Sequence, residues 1–423
     1  MNLLYDAAMS LMGPGVRLVA GRSPKMRLMR NGQKQTWKRL EDFRKELAPN
    51  GFDVWFHVAS LGEFEQARPL IDALIEARPN ISILLSFFSP SGYEVRHNYH
   101  PRVGVVYLPF DTPSNASRFL MLAAPKQVVF VKYEFWGNYL SQIARRGIPL
   151  YLISAIFRPS QIFFRPWGGT FRKMLTNFDR IYVQDEGSRD LLSKIGIDRV
   201  VVAGDTRFDR VTDIRKAARV IPEIEDFISR IPKDAQIVVF GSSWESDEVY
   251  YIPWLKKHPE VYAIIAPHEF DKKRLVKLSE RLGDERTELL SQYDSHGKLP
   301  HYILVDCFGL LSSLYRYASL AYVGGGFGVS IHNINEAAVY GIPVVFGPRH
   351  DKFKEAADLI HCGGGFSASS GEELEKILTS LITDVSARTA AGQASRHYID
   401  THTGASPLIL KEVFNFKPNS PLP

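Results

Sequence analysis

Twelve short runs of valine, isoleucine, leucine and phenylalanine, separated by stretches of helical periodicity, constrain this chain more than any other feature. Seven come early: Val54–Val58, Ile81–Ser86, Val103–Leu108, Gln127–Val131, Pro149–Ile153, Arg180–Val183 and Val200–Ala203. Five follow: Ile237–Phe240, Ala263–Ala266, Tyr302–Val305, Leu320–Val323 and Pro343–Phe346. Most are near-continuous rather than alternating, which is how strands buried on both faces of a parallel sheet read. Two sets of strand–helix units predict two doubly wound, Rossmann-like α/β domains facing a central cleft. The charged interval between the sets, Phe208 to Asp234, ends in Ile231-Pro232-Lys233-Asp234. The expected organisation is an N-terminal segment at 1–50, a first domain at 51–210, a linker at 211–234 and a second domain at 235–423.

Length agrees, since 423 residues exceed one ordinary core. Apolar and charged shares of 45% and 23% are those of a globular protein. No run reaches the roughly 18 uninterrupted apolar residues of a spanning helix. Two distant cysteines, Cys307 and Cys362, and an opening unlike a signal peptide predict a reducing compartment. The net charge of +6 is concentrated near the front, with ten Lys/Arg from Arg17 to Lys45 against Glu41 and Asp42. Ahead of them, Leu3, Leu4, Ala7, Ala8, Leu11 and Met12 fall at helical spacing, closed by Gly13-Pro14. An amphipathic helix followed by basic residues reads as a membrane-surface anchor. The alternative is a helix packed on its own domain with a solvated basic loop behind it. No aromatic–basic motif supports nucleic-acid binding.

Chemistry is expected in the loops that follow the strands. Ser60, Gly62 and Glu63 follow the first, where Glu63 suits a base that takes a proton from a sugar hydroxyl. Ser60 and Glu63 also fit a capping box. Lys132 and Glu134 emerge after the fourth strand, as an ion pair or as cleft residues. Arg207, between Asp205 and Asp209, could fork onto a phosphate or pair with either acid. Two glycine-rich turns, Gly241-Ser242-Ser243 and Gly324 to Gly328, suit backbone binding of a phosphate, but neither is a P-loop. Asn333 and Glu336 share a helix face and suit ribose or phosphate contacts, or else a cap. No histidine–carboxylate pattern resembles a metal site, and no nucleophile elbow is present, so neither a metal, a cofactor nor a covalent intermediate is expected.

Together these loops resemble the 3-deoxy-D-manno-octulosonic acid (Kdo) transferases of lipopolysaccharide biosynthesis, and the two-domain plan is similar to that of GT-B glycosyltransferases. The Ser-x-Gly-Glu pattern falls on Ser60, Gly62 and Glu63, and Lys-Tyr-Glu-x-Trp-Pro-Asn on Lys132, Tyr133, Glu134, Trp136 and Asn138, with Gly137 for the proline. Arg207 stands where the family has a lysine, and Pro267-His268 where it has Pro-Arg. Its Asp-Thr-Met-Gly-Glu-Leu segment corresponds to Asp306 through Leu311, which includes Phe308, Gly309 and Leu310. Its Asn-x-x-Glu is kept as Asn333, Ile334, Asn335 and Glu336, behind Ser330 and Ile331 in place of glycines. The resemblance implies CMP-Kdo as donor, a lipid A precursor as acceptor and the cytoplasmic face of the bacterial inner membrane as location. It implies Glu63 as base, Glu134 and Arg207 as transition-state stabilisers, and Pro267, His268, 308–310 and 333–336 as CMP contacts. A UDP-sugar transferase and a non-catalytic two-domain sugar-binding protein are the alternatives.

Overall fold

The computed structural model describes residues 5–11 and 23–416. They form two units, one of Met1–Arg210 with Thr403–Pro423 and one of Val211–His402. The first holds β1 (Val54–Val58), β2 (Ile83–Phe87), β3 (Val103–Tyr107), β4 (Val128–Val131), β5 (Leu150–Ala155), β6 (Arg180–Val183) and β7 (Val200–Val202). They pair in parallel in the order β3-β2-β1-β4-β5-β6-β7. The second holds β8 (Gln236–Ser243), β9 (Val261–Pro267), β10 (Thr287–Leu289), β11 (Tyr302–Leu304), β12 (Leu320–Val323), β13 (Val344–Phe346) and β14 (Gly365–Ser367). Its order, β10-β11-β9-β8-β12-β13-β14, is again parallel throughout.

β1 shows why the runs are continuous. Trp55 packs into one apolar layer with Phe119 and Tyr139, whereas Val54, Phe56 and Val58 face another with Leu70 and Phe414. Both faces are dry, and each such side chain contributes about 1.5–3 kcal/mol of burial. The two strands that the sequence runs do not include, β10 and β14, are three-residue edge strands. An edge strand buries less, so it needs no long apolar run.

Three expected boundaries are corrected. The segment 1–50 is not separate. The helix Pro24–Glu46 buries Met29, Gln33, Thr36 and Leu40 against the first unit. On that helix Gln33, Thr36 and Arg39 donate to the Leu108, Tyr107 and Val105 carbonyl oxygens at 2.9, 2.8 and 3.2 Å. These carbonyls lie along edge strand β3 and the residue after it, so the helix seals an edge that would otherwise be open. The stretch expected as a basic loop is therefore largely a docked helix with Lys25, Arg27, Lys34 and Lys38 on its exposed side. Of the preceding amphipathic stretch, residues 5–11 are helical with Ala7, Ala8 and Leu11 exposed, while the Tyr5 hydroxyl donates to Asp111 at 2.7 Å. Leu3, Leu4, Met12 and the cations Arg17 and Arg22 lie outside the described residues, as does the tail after Phe416.

The interval 211–234 is not an open linker, since Pro222–Arg230 is a helix that buries Ile224 and Phe227. The unit boundary falls within the helix Thr206–Lys216. The last helix, Ala405–Phe414, belongs to the first unit rather than to 235–423. Asp209 accepts from the Gly404 and Ser406 N–H groups at 2.6 Å each, capping that helix from a distant part of the chain. Phe414 then stacks on Phe56, with ring centroids 6.1 Å apart.

Candidate active site

In a doubly wound sheet, ligands bind beyond the carboxyl ends of the strands where the strand order reverses. In the first unit that point lies between β1 and β4, and in the second between β8 and β12.

The loop after β1 runs into the helix Leu61–Ala77, with Ser60 as N-cap and Glu63 in its first turn. Glu63 Oε2 accepts from the Ala59 and Ser60 N–H groups at 2.6 and 3.0 Å, and from the Ser60 hydroxyl at 3.4 Å. The expected capping box of Ser60 and Glu63 is thus present, and Oε1 accepts no hydrogen bond among the described residues. Burial raises the Glu63 pKa, and Glu134 repels its charge further, against the lowering pull of the Ala59 and Ser60 N–H groups. A Cβ added to the exposed Gly62 would meet nothing nearer than Ser60 Oγ at 4.0 Å, so the fold itself does not require glycine there.

The loop after β4 begins at Lys132, whose φ of 65° is left-handed and turns the chain sharply. Its Nζ lies 5.6 Å from the centre of the Tyr133 ring. Glu134 is buried, and its Oε2 accepts from Trp136 Nε1 at 2.6 Å and lies 2.9 Å from His57 Nε2. His57, fully buried on β1, was not singled out from the sequence. It reads there as one more residue of an apolar strand. Gly137 donates its N–H to the Tyr5 hydroxyl at 3.1 Å, a bond that proline could not make. Asn138 is structural, since its amide nitrogen and side chain both donate to Asp111 at 2.9 and 2.7 Å.

Arg207 takes the second of its two readings. Its Nε and Nη2 donate to Asp205 Oδ2 at 3.0 and 2.8 Å, and its backbone N–H to Oδ1 at 3.0 Å. Burial alone would raise the Asp205 pKa, but the Arg207 charge and hydrogen bonds hold it below the usual carboxylate range.

At the second crevice, a cavity of about 650 Å³ is lined by Trp244, Ser246, Arg274, Gly325, Ser330 and His332, among others. Three rings stack beside it. His268 lies 4.3 Å from Trp244 and 4.5 Å from His332, and Trp244 Nε1 donates to His332 Nε2 at 3.1 Å. Burial, with His268 adding to it, brings the His332 pKa down to about 4, so the ring is a neutral acceptor at pH 7. Asp247, fully buried, ties the two loops together. It accepts from the Trp244 and Gly325 N–H groups at 2.9 Å each and from the Tyr322 hydroxyl at 2.8 Å. The Gly325 N–H is therefore spent inside the protein, which corrects the expectation of a free phosphate donor there. Gly324 and Gly326 are required by packing, because a Cβ on either would stand 2.4–2.6 Å from neighbouring backbone.

The remaining expected contacts are dispersed. Pro267 ends β9. Phe308 is 85% exposed against Phe270, Gly309 has a φ of 82°, and the Leu310 carbonyl starts the helix Leu311–Leu314. Asn333 donates to Glu336 Oε1 at 3.0 Å and accepts from the Asn335 N–H at 3.2 Å, but the N-cap of the helix Asn335–Ala338 is Ile334, so Asn333 stands one residue before the cap expected of it. Ile334 and Asn335 are buried at 1% exposure each. None of these lines the cavity. Trp244, Asp247 and Arg274 were missed, although Trp244 to Asp247 has the three-residue spacing of a cap. Among the described residues no group of three or more His, Cys, Asp or Glu could hold a metal ion.

Residues 26–210 match the family model described as 3-deoxy-D-manno-octulosonic-acid transferase (kdotransferase). The chain is 27% identical over 385 residues to the 3-deoxy-D-manno-octulosonic acid transferase of Bordetella pertussis, covering 85% of this chain and 86% of that one. It is 26% identical over 338 residues to that of Aquifex aeolicus, covering 78% and 86%. Among solved structures, UDP-GlcNAc 2-epimerase from Neisseria meningitidis bound to UDP-GlcNAc is similar with a TM-score of 0.59 and 15% identity, over 86% of this chain and 100% of that one. That likeness speaks to the fold alone, which is GT-B, with two Rossmann-like domains. The sequence matches extend through both units, and over most of its length the chain is similar to 3-deoxy-D-manno-octulosonic acid transferases.

Proposed function

We propose that this enzyme transfers Kdo from CMP-Kdo to the lipid A precursor lipid IVA, with inversion, without a metal, and with Glu63 as general base. The observation that carries this reading is the Glu63 carboxylate. Its pKa is raised by burial and by Glu134, and one of its oxygens is left unbonded. A base with a raised pKa is the better proton acceptor near neutrality.

In the reaction Glu63 takes the proton of an acceptor glucosamine hydroxyl as its oxygen bonds to the anomeric carbon of Kdo. The bond from that carbon to the CMP phosphate breaks on the opposite face, and its electron pair leaves with the phosphate. Positive charge on the sugar ring is stabilised by Glu134. A nucleoside monophosphate carries less charge than a diphosphate, so dipoles and one or two cations suffice to hold it. Arg274, on the cavity wall beside the Trp244 stack and ion-paired with the buried Glu248, supports nucleotide binding there. Arg207 contributes charge while held by Asp205. His268 and the 308–310 and 333–336 segments remain donor contacts in this reading, as Ser60, Gly62 and Lys132 remain acceptor-side residues. A lipid acceptor also supports peripheral attachment to the cytoplasmic face of the inner membrane through residues 1–12 and the cationic side of the helix Pro24–Glu46.

Incubation with CMP-Kdo and a tetraacylated lipid A precursor, followed by mass spectrometry, tests the proposal. A product heavier by one or more Kdo units is expected. No product, or competition by UDP rather than CMP, refutes it.

A further inference from the structure

The proposed mechanism leaves His57 without a task, yet its ring is fully buried beside Glu134. β1 sets His57 in register with Ser86 of β2 on one side and Phe130 of β4 on the other. A buried imidazole is stable only with both nitrogens satisfied. Nδ1 stands 2.9 Å from Ser86 Oγ and 3.2 Å from the Ser86 carbonyl oxygen, and Nε2 stands 2.9 Å from Glu134 Oε2.

The partners fix the direction of each bond. An ionised carboxylate only accepts, so Nε2 carries a hydrogen and donates it. Trp55 Nε1 can only donate, and it does so to Ser86 Oγ at 2.7 Å. The Ser86 hydroxyl hydrogen is then available to Nδ1, and a chain of donors runs one way from Trp55 through Ser86 and His57 to Glu134. The opposite tautomer would donate from Nδ1 to the Ser86 carbonyl and set a bare Nε2 lone pair 2.9 Å from a carboxylate oxygen, which is repulsive. Trp136 Nε1 donates to the same Oε2 at 2.6 Å. Two rigid donors therefore hold Oε2, while Oε1 accepts no hydrogen bond among the described residues.

We infer that His57 is a positioning residue, which through its Nε2–H holds the Glu134 carboxylate with Oε2 turned inward and Oε1 toward the reacting sugar. The inference rests on the proposed function, which makes Glu134 the group facing positive charge. A carboxylate fixed in advance needs no reorganisation as that charge develops. Ser86 and Trp55 act one step further back by selecting the tautomer.

Glutamine and asparagine at position 57 separate positioning from packing. The amide nitrogen of glutamine falls near the place of Nε2 and can donate to Glu134. Asparagine reaches only the place of Nδ1, so it can meet Ser86 but not Glu134. Steady-state transfer and thermal unfolding are measured on wild type, H57Q, H57N and S86A. Expected is a kcat for H57N lower by roughly 100-fold with KM for CMP-Kdo within about twofold, and recovery of at least about tenfold in H57Q. S86A, which keeps the ring but frees its tautomer, is expected to lose about fivefold in kcat. Equal losses in H57Q and H57N, a rise in KM without a fall in kcat, or wild-type kcat in S86A overturns the inference. Should both His57 variants fail to fold, S86A alone decides. Absence of transfer by the wild type would refute the proposed function itself, and E134Q with wild-type kcat would remove Glu134 from it.

Discussion

The crevices of the two domains stand at equivalent points of doubly wound parallel sheets, after the central strand and beside the first strand across the reversal. Their chemistry is opposite. The N-terminal crevice gathers Glu63 and Glu134, two carboxylates near enough to repel, and satisfies them with backbone N–H groups, a tryptophan and a histidine. The C-terminal crevice gathers three stacked rings and a guanidinium around a cavity, with its two fully buried acids, Asp247 and Glu248, turned to structural use. Topology thus says where a ligand belongs, and the side chains say what each place can do. The first is suited to moving a proton and facing positive charge, the second to holding a flat base and an anion.

The comparison breaks most sharply at Glu63. E63Q is expected to lower kcat by about 10²–10⁴-fold while CMP affinity, read by calorimetry, stays within about twofold. Retained turnover would remove the proton-transfer role from the N-terminal crevice. Next comes Asp247. D247A leaves two N–H groups and a hydroxyl without their buried acceptor, and the expected loss is about 3 kcal/mol in urea unfolding. A loss below about 1 kcal/mol would mean that the glycine loop holds itself without that carboxylate. W244A, which removes the outer ring of the stack, should weaken CMP binding by roughly tenfold with kcat at saturation little changed. An unchanged Kd would move the nucleotide away from the cavity.

The smallest effect is on stability against pH. The folded pKa of Glu63 lies above its unfolded value of about 4.3, so its contribution is fully present below that pH and is lost as the pH rises. E63Q cannot ionise. Its melting temperature should match wild type near pH 4 and exceed it slightly at pH 7 to 8. The reverse order would place Glu63 among carboxylates stabilised by ionising.

The middle strands were legible because burial on both faces leaves no room for polar alternation, as in Val128–Val131 and Val261–Pro267. The edge strands β10 and β14 were not, being short and only partly buried. Glu63 was legible as a loop acid, but its cap and base readings could not be separated without knowing which oxygen is engaged. His57 was hidden because a histidine within an apolar run carries no sign of a glutamate 77 residues away. Arg207 had two open readings, and the nearness of a buried Asp205 favoured the ion pair.

By itself the sequence determined the number of sheets, their parallel pairing and the strand-following loops that carry chemistry, since all of these follow from local burial and chain connectivity. Only the tertiary structure decided that the helix Pro24–Glu46 closes the edge at β3, that Ala405–Phe414 returns to the first domain, and that Trp55, Ser86, His57 and Glu134 form one chain of hydrogen bonds. Each of those depends on partners far apart in the chain, and the direction of a hydrogen bond exists only once donor and acceptor have met.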